Sequence, residues 1–331
     1  MRRAVAWALL ALLVAGRPVA LGAYLKFGFE TGDRTVDVRW PEGSIPYFVN
    51  ERDIAGVSAA DLRTAAQRAT ATWQAAPDTA IAFAFQGMTT AAPGALDGRN
   101  TLGFLDRPDL DRVLGATSLV LDAATGALLE ADVFFNTAFP WSAASTGEPG
   151  RVDLESVVLH ELGHLLGLGH SALGETEQTA AGARRVLGSG AVMFPIAMTP
   201  GAIADRQLQP DDLAAVLDLY GVAQPAVQTG SIRGRVRKGG RGVFGAHVIA
   251  FNPITGVMVG GYALSADGKF VIAGLAPGPY VVRVEPLDDG DTESFLTGIV
   301  DVDFQVAYAS RLVVAPRGGT SGSVDVEVVP K

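Results

Sequence analysis

The chain has 331 residues, long enough for two domains, and 18% of them are charged. Asp and Glu number 35 against 26 Lys and Arg, a net charge of −9 with no basic run, which excludes an electrostatic grip on nucleic acid. There are no cysteines, so the fold must rely on core packing rather than on disulfides.

Met1-Arg2-Arg3 precedes an apolar run over 4–15 with small residues after it. That pattern predicts a secretory signal peptide over 1–23, with Ala20 and Ala23 as candidate cleavage positions. The run is too short to span a bilayer, and no later stretch is long and apolar enough, so no transmembrane segment is expected in the mature chain. The expected destination is extracellular or periplasmic.

Alternation predicts strands over 36–40, 45–49, 81–85 and 101–104. Ser58 is a suitable N-cap for a helix running to about Trp73, with Leu62, Ala65, Ala66, Ala69 and Trp73 on one face. A hairpin is expected from 117–121 and 128–136, around a turn at 122–126. Asp132, on its second strand, is as readily a solvated strand residue as a functional one.

Next comes Leu159-His160-Glu161-Leu162-Gly163-His164-Leu165-Leu166-Gly167-Leu168-Gly169-His170. On a helix capped by Asp153, His160 and His164 leave the same face one turn apart, where two nitrogens can grip one metal ion. Glu161 lies close enough to reach a water on that metal. Gly167 can take positive φ, end the helix and bring His170 back as a third ligand. Three neutral imidazoles with one open position describe a catalytic zinc site rather than a closed structural one. The chain has only 4 histidines, and three of them fall in this motif. Val158, Leu159, Leu162, Leu165 and Leu166 form a buried arc, and the histidine face is expected to look into a cleft.

Residues 171–190 are polar and read as a surface insertion beside that cleft. The segment 210–221 reads as a short helix with Pro210 in its first turn, Asp211 and Asp212 at its positive end and Gly221 after it. A linker is expected over 223–230. Beyond it, short alternating strands over 232–236, 246–251, 257–262, 269–272, 280–284, 299–304 and 324–329 predict a small β-sandwich. His247 is expected on a strand as a surface residue. Asp288, Asp289 and Asp291 are candidate ligands for a structural Ca²⁺, although a solvated acidic turn is the preferred reading and nothing further supports calcium.

The motif at 160–170, followed by Ala191-Val192-Met193-Phe194-Pro195, resembles the metzincin zinc peptidases with their Met-turn. Ser171 directly after the third His, and Met-Phe-Pro at the turn, resemble the matrixin branch. So do the opening phrase 39–47 and the helix at 210–221. The resemblance implies an α+β fold: a zincin-like catalytic domain over 35–222, with a twisted mixed sheet and long helices. It implies one catalytic Zn²⁺ on His160, His164 and His170, and Glu161 as general base. It also implies an edge strand that pairs with extended substrate, here read as 128–135. Many matrixins are kept latent by a propeptide Cys, and no Cys is present. Only about ten to fifteen residues separate the expected leader from the first strand, too few for a folded pro-domain. At the position two after Pro195, where the family often has a pocket-lining Tyr, stands Ala197. The stretch 266–280 resembles carboxypeptidase regulatory-like domains, which implies a transthyretin-like all-β sandwich over 231–331.

The expected function is a secreted zinc endopeptidase that hydrolyses protein or peptide substrates with a zinc-bound water and Glu161 as base. The competing reading is a binding or adhesion protein carrying an inactive peptidase fold. Oligomeric state and cleavage preference are open from sequence.

Overall fold

The computed structural model describes residues 11–12, 26–31, 34–178, 184–222, 229–287 and 300–331. The expected leader lies outside the described residues apart from Ala11–Leu12. So do most of the 223–230 linker and the Asp288, Asp289 and Asp291 cluster. Among the described residues no helix is long and apolar enough to cross a membrane.

Strands β1 (Ile45–Asn50), β2 (Phe83–Thr89), β3 (Thr101–Leu105), β4 (Gly115–Leu121) and β5 (Leu128–Asn136) form a mixed sheet in the order β4-β5-β3-β1-β2. Only β4 runs antiparallel to its neighbour, pairing Thr117 with Val133. The outer edge of β4 pairs in parallel with Ala11–Leu12. Two helices pack on the sheet, α1 (Ala59–Gln74) and α2 (Leu154–Leu165). Ser58 and Asp61 make a capping box at the start of α1, and the five expected core residues of that helix are buried. Trp73 donates its indole N–H to the carbonyl of Leu159 at 2.9 Å, which joins α1 to α2.

The topology corrects two expectations. Residues 128–135 are not at the edge but form an interior strand between β4 and β3; Gly115–Leu121 lies outside it, and its own outer side pairs with Ala11–Leu12. Asp132 is not solvated: it is 4% exposed and accepts the amides of Gly94 (2.6 Å) and Thr101 (2.7 Å). It therefore ties the loop before β3 to the sheet, although burial pushes its carboxyl up to about 6.

The third helix, α3 (Pro210–Tyr220), follows the site, with Pro at its start and Gly221 beyond its end. The C-terminal strands form two further sheets. One contains β6 (Gly230–Lys238), β9 (Lys269–Leu275) and β11 (Val324–Val328). The other contains β8 (Met258–Tyr262), β7 (His247–Phe251) and β10 (Gly278–Glu285), in that order. The expected strand over 299–304 is not formed in its described part, 300–304; short pieces at Ala307–Tyr308 and Val313–Ala315 pair with β10 instead. His247 is not a surface residue. It is 2% exposed, and its Nδ1 lies 3.0 Å from Glu285 Oε1.

Within 171–190, Gly174–Gln178 and Arg184–Ser189 pair antiparallel as the two arms of a hairpin, with Glu175, Arg185 and Leu187 exposed. Val186 of this hairpin joins Phe194, Ile196, Tyr262, Leu264 and Leu287 in an apolar cluster, so the insertion, the Met193 turn and the C-terminal sheets share one buried core.

Candidate active site

Helix α2 begins on Asp153, whose side chain accepts the amide of Ser156. At its other end Gly167 takes φ +95°, and the amides of Gly167 and Leu168 return to the carbonyls of His164 (2.9 Å) and Gly163 (3.0 Å). This is a Schellman closure, and it needs glycine twice over. A Cβ at 167 would have unfavourable φ and would stand 2.2 Å from the carbonyl oxygen of Val38. The next carbonyls are also satisfied: Trp40 donates to Leu165 (2.8 Å), Tyr220 to Leu166 (2.6 Å) and Phe27 to Gly167 (2.9 Å).

His160, His164 and His170 converge, with one ligand nitrogen from each lying within 4.8 Å of the others. Ring centroids are 4.8 Å apart for His160 and His164, and 4.8 Å for His164 and His170. His160 Nδ1 is 2.7 Å from the carbonyl of Val192, and His164 Nδ1 is 2.8 Å from that of Leu168. A carbonyl only accepts, so both rings carry their proton on Nδ1 and present a bare Nε2 lone pair. Those two Nε2 atoms are buried without a hydrogen-bond partner. Burial pushes His160 down to about 4 and His164 well below its ordinary value, so both stay neutral, as metal ligands must be. Two orphaned, correctly protonated nitrogens beside a third imidazole fit a divalent metal.

Glu161 is fully buried. Its Oε2 accepts from the Thr117 hydroxyl at 2.8 Å, and its Oε1 has no partner. Burial pushes this carboxyl up to about 8, and a neighbouring cation would favour the carboxylate again. The helix face expected to open into a cleft is therefore enclosed. Gly115 and Thr117 of β4 cover Glu161, and the Phe27 ring stands 6.0 Å from that of His164.

Met193 lies under the helix. A Cβ on Gly163 would come within 2.2 Å of its sulfur, so the turn and helix touch through the gap that glycine leaves. The amides of Val192 (2.9 Å) and Met193 (3.2 Å) donate to Asp212, and Ser171 N–H donates to the Met193 carbonyl at 2.9 Å. Asp211 and Asp212 do more than complement the helix end, since both are 1% exposed. Asp211 takes the Ser171 hydroxyl at 2.6 Å. Burial raises both carboxyls, Asp211 to about 6 and Asp212 to about 7. Thr117 and the orienting carbonyls escaped the sequence reading, because nothing in a strand Thr or a main-chain oxygen marks a long-range partner.

A family model for matrixins matches residues 39–221, more than half of the chain, including β4, α2, the Met193 turn and α3. The chain belongs to the matrixin family. That membership implies a metzincin fold, and matrixins use zinc. Two curated relatives are similar over 70 residues: metalloendoproteinase 5-MMP of Arabidopsis thaliana at 43% identity and metalloendoproteinase 1-MMP of the same plant at 44%. Each match covers 21% of this chain and 15% of the relative. Among solved structures, the Bacillus anthracis TIE protein is similar at TM-score 0.22 and 15% identity, over 31% of this chain and 17% of that one. The minor pilin GBS52 of Streptococcus agalactiae is similar at TM-score 0.21 and 15% identity, over 31% of this chain and 45% of that one.

Proposed function

We propose that this matrixin is an exported zinc endopeptidase, with His160, His164 and His170 as ligands of one Zn²⁺ and Glu161 as general base. The observation that carries the reading is the convergence of three buried imidazoles within 4.8 Å, with the unpartnered Glu161 oxygen on the residue beside the first of them. Bound there, zinc would supply Lewis-acid polarisation of a scissile carbonyl and a more acidic water.

The protein's own groups would do the rest. Val192 and Leu168 hold two imidazoles in the ligating tautomer. Glu161 Oε1 takes a proton from the attacking water and returns it to the leaving amine, while Thr117 holds Oε2. Strand β4, whose outer edge pairs here with Ala11–Leu12 of the proposed signal peptide, would offer those main-chain groups to an extended peptide once that leader is removed, in register above the three rings. Met193 supplies shape and an apolar floor, not chemistry.

We also assign residues 35–222 to the peptidase domain and 231–331 to a transthyretin-like sandwich, joined by 223–230 and preceded by a signal peptide over 1–23. An inactive peptidase fold serving adhesion is disfavoured by the intact Glu161 and its intact hydroxyl partner. The test is Glu161→Ala. Zinc content should stay at the wild-type level, and cleavage of casein or gelatin should fall by about 10²–10⁴. Full activity in that variant would remove the general-base assignment.

A further inference from the structure

His170 is the one ligand that no helix holds. It sits past the Gly167 turn, so its position depends on what grips the chain on either side. Three contacts among the described residues contribute to that grip. Ser171 N–H binds the Met193 carbonyl, and the Ser171 hydroxyl binds Asp211 Oδ2. The third comes from the C-terminal sheets: the Tyr262 hydroxyl donates to the His170 carbonyl at 3.1 Å.

The same strand, β8, makes a second tie. Gly260 N–H donates to Asp211 Oδ1 at 2.7 Å, opposite the oxygen that holds Ser171. β8 is the edge of its sheet, so an outward amide there needs a partner, and the buried carboxylate needs donors. Each satisfies the other. Glycine is required for the approach. A Cβ at 260 would stand 2.9 Å from His247 Nε2 and 3.1 Å from Leu173 Cγ. On the adjoining sheet, a Cβ at Gly274 would stand 2.5 Å from the Ala214 carbonyl of α3. Around these close contacts Tyr262, Leu264 and Leu287 bury against Phe194 and Ile196, the residues directly after Met193 and Pro195.

We propose that the C-terminal β unit is a working part of the metal centre: Tyr262 and Gly260 are positioning residues that fix the His170 segment and, through Asp211, Ser171. The proposal rests on the zinc reading above. It gives the unit a role that needs no ligand of its own. Partners that orient ligands of a metal affect affinity by about 10–100-fold when lost, and a main-chain grip on the one non-helical ligand belongs to that class.

The experiment measures zinc release from the full-length protein to a chromogenic chelator, comparing Tyr262→Phe with Tyr280→Phe. Tyr280 is the control because its hydroxyl donates at 2.9 Å to Ala276, wholly within the β unit. Both variants lose one hydroxyl from the same sheet. Tyr262→Phe should release zinc about tenfold faster, while Tyr280→Phe keeps the wild-type rate. With peptide substrate at saturating zinc, Tyr262→Phe should lower kcat more than it raises KM. Wild-type release from Tyr262→Phe, or equal acceleration in both variants, overturns the proposal. If Tyr262→Phe does not fold, Gly260→Ala probes the neighbouring tie, with faster release expected and an unchanged rate contradicting it. A wild-type protein that takes up no zinc removes the underlying metal assignment, which is a separate and recognisable failure.

Discussion

At the scale of single residues, the site depends on two unlike kinds of information. His160, Glu161, His164 and His170 could be read directly, because a fixed spacing along one helix and one turn brings them together. Their partners could not. Thr117 is 44 residues from Glu161 in sequence, and its hydroxyl lies 2.8 Å from that carboxylate. Thr117→Val keeps the shape and removes only the hydroxyl. A hydrogen bond to a charged group is worth about 1.5–3 kcal/mol, so kcat should fall roughly tenfold or more, with KM and zinc content nearly unchanged. Steady-state kinetics with a peptide substrate checks this, and an unchanged kcat would show that Glu161 is held by other means. His247 illustrates the opposite error. Its strand pattern is correct, but alternation says which side of a strand a residue faces, not what covers that side.

At the scale of elements, the period of the pattern located strands and helices well and their neighbours poorly. The two strands of the 115–136 hairpin alternate alike, and only the parallel pairing of β5 with β3 puts 128–136 inside the sheet and Gly115–Leu121 outside it. Helix α2 is better determined, because its caps are written locally in Asp153 and Gly167. The Gly167 close approach gives a test at this scale. Gly167→Ala adds a Cβ 2.2 Å from the Val38 carbonyl and forces an L-residue to φ +95°. Such positions cost about 1–3 kcal/mol in backbone strain alone. Thermal unfolding should therefore show a lower Tm in the zinc-free state, and metal affinity should drop as the turn to His170 opens. An unchanged Tm with unchanged zinc affinity would contradict the role given to this turn.

At the scale of the molecule, the proposed metal centre sits where three parts of the chain meet: the α2 helix, the Met193 turn with α3, and the C-terminal sheets. The sequence divides into two patterns at about residue 222, yet the apolar cluster around Phe194 and Tyr262 runs across that division. Sequence patterning marks where one set of elements ends and another begins; it carries no signal for a contact made by a glycine edge and a tyrosine hydroxyl. The whole account depends on three imidazoles holding one ion. Zinc content of the purified full-length protein, combined with X-ray absorption at the zinc edge, measures this directly. The account predicts about one zinc per chain with three imidazole nitrogens at about 2.0–2.1 Å, lost when His170 is replaced by Ala. A zinc-supplemented protein that retains none, or that binds it equally well without His170, would contradict it.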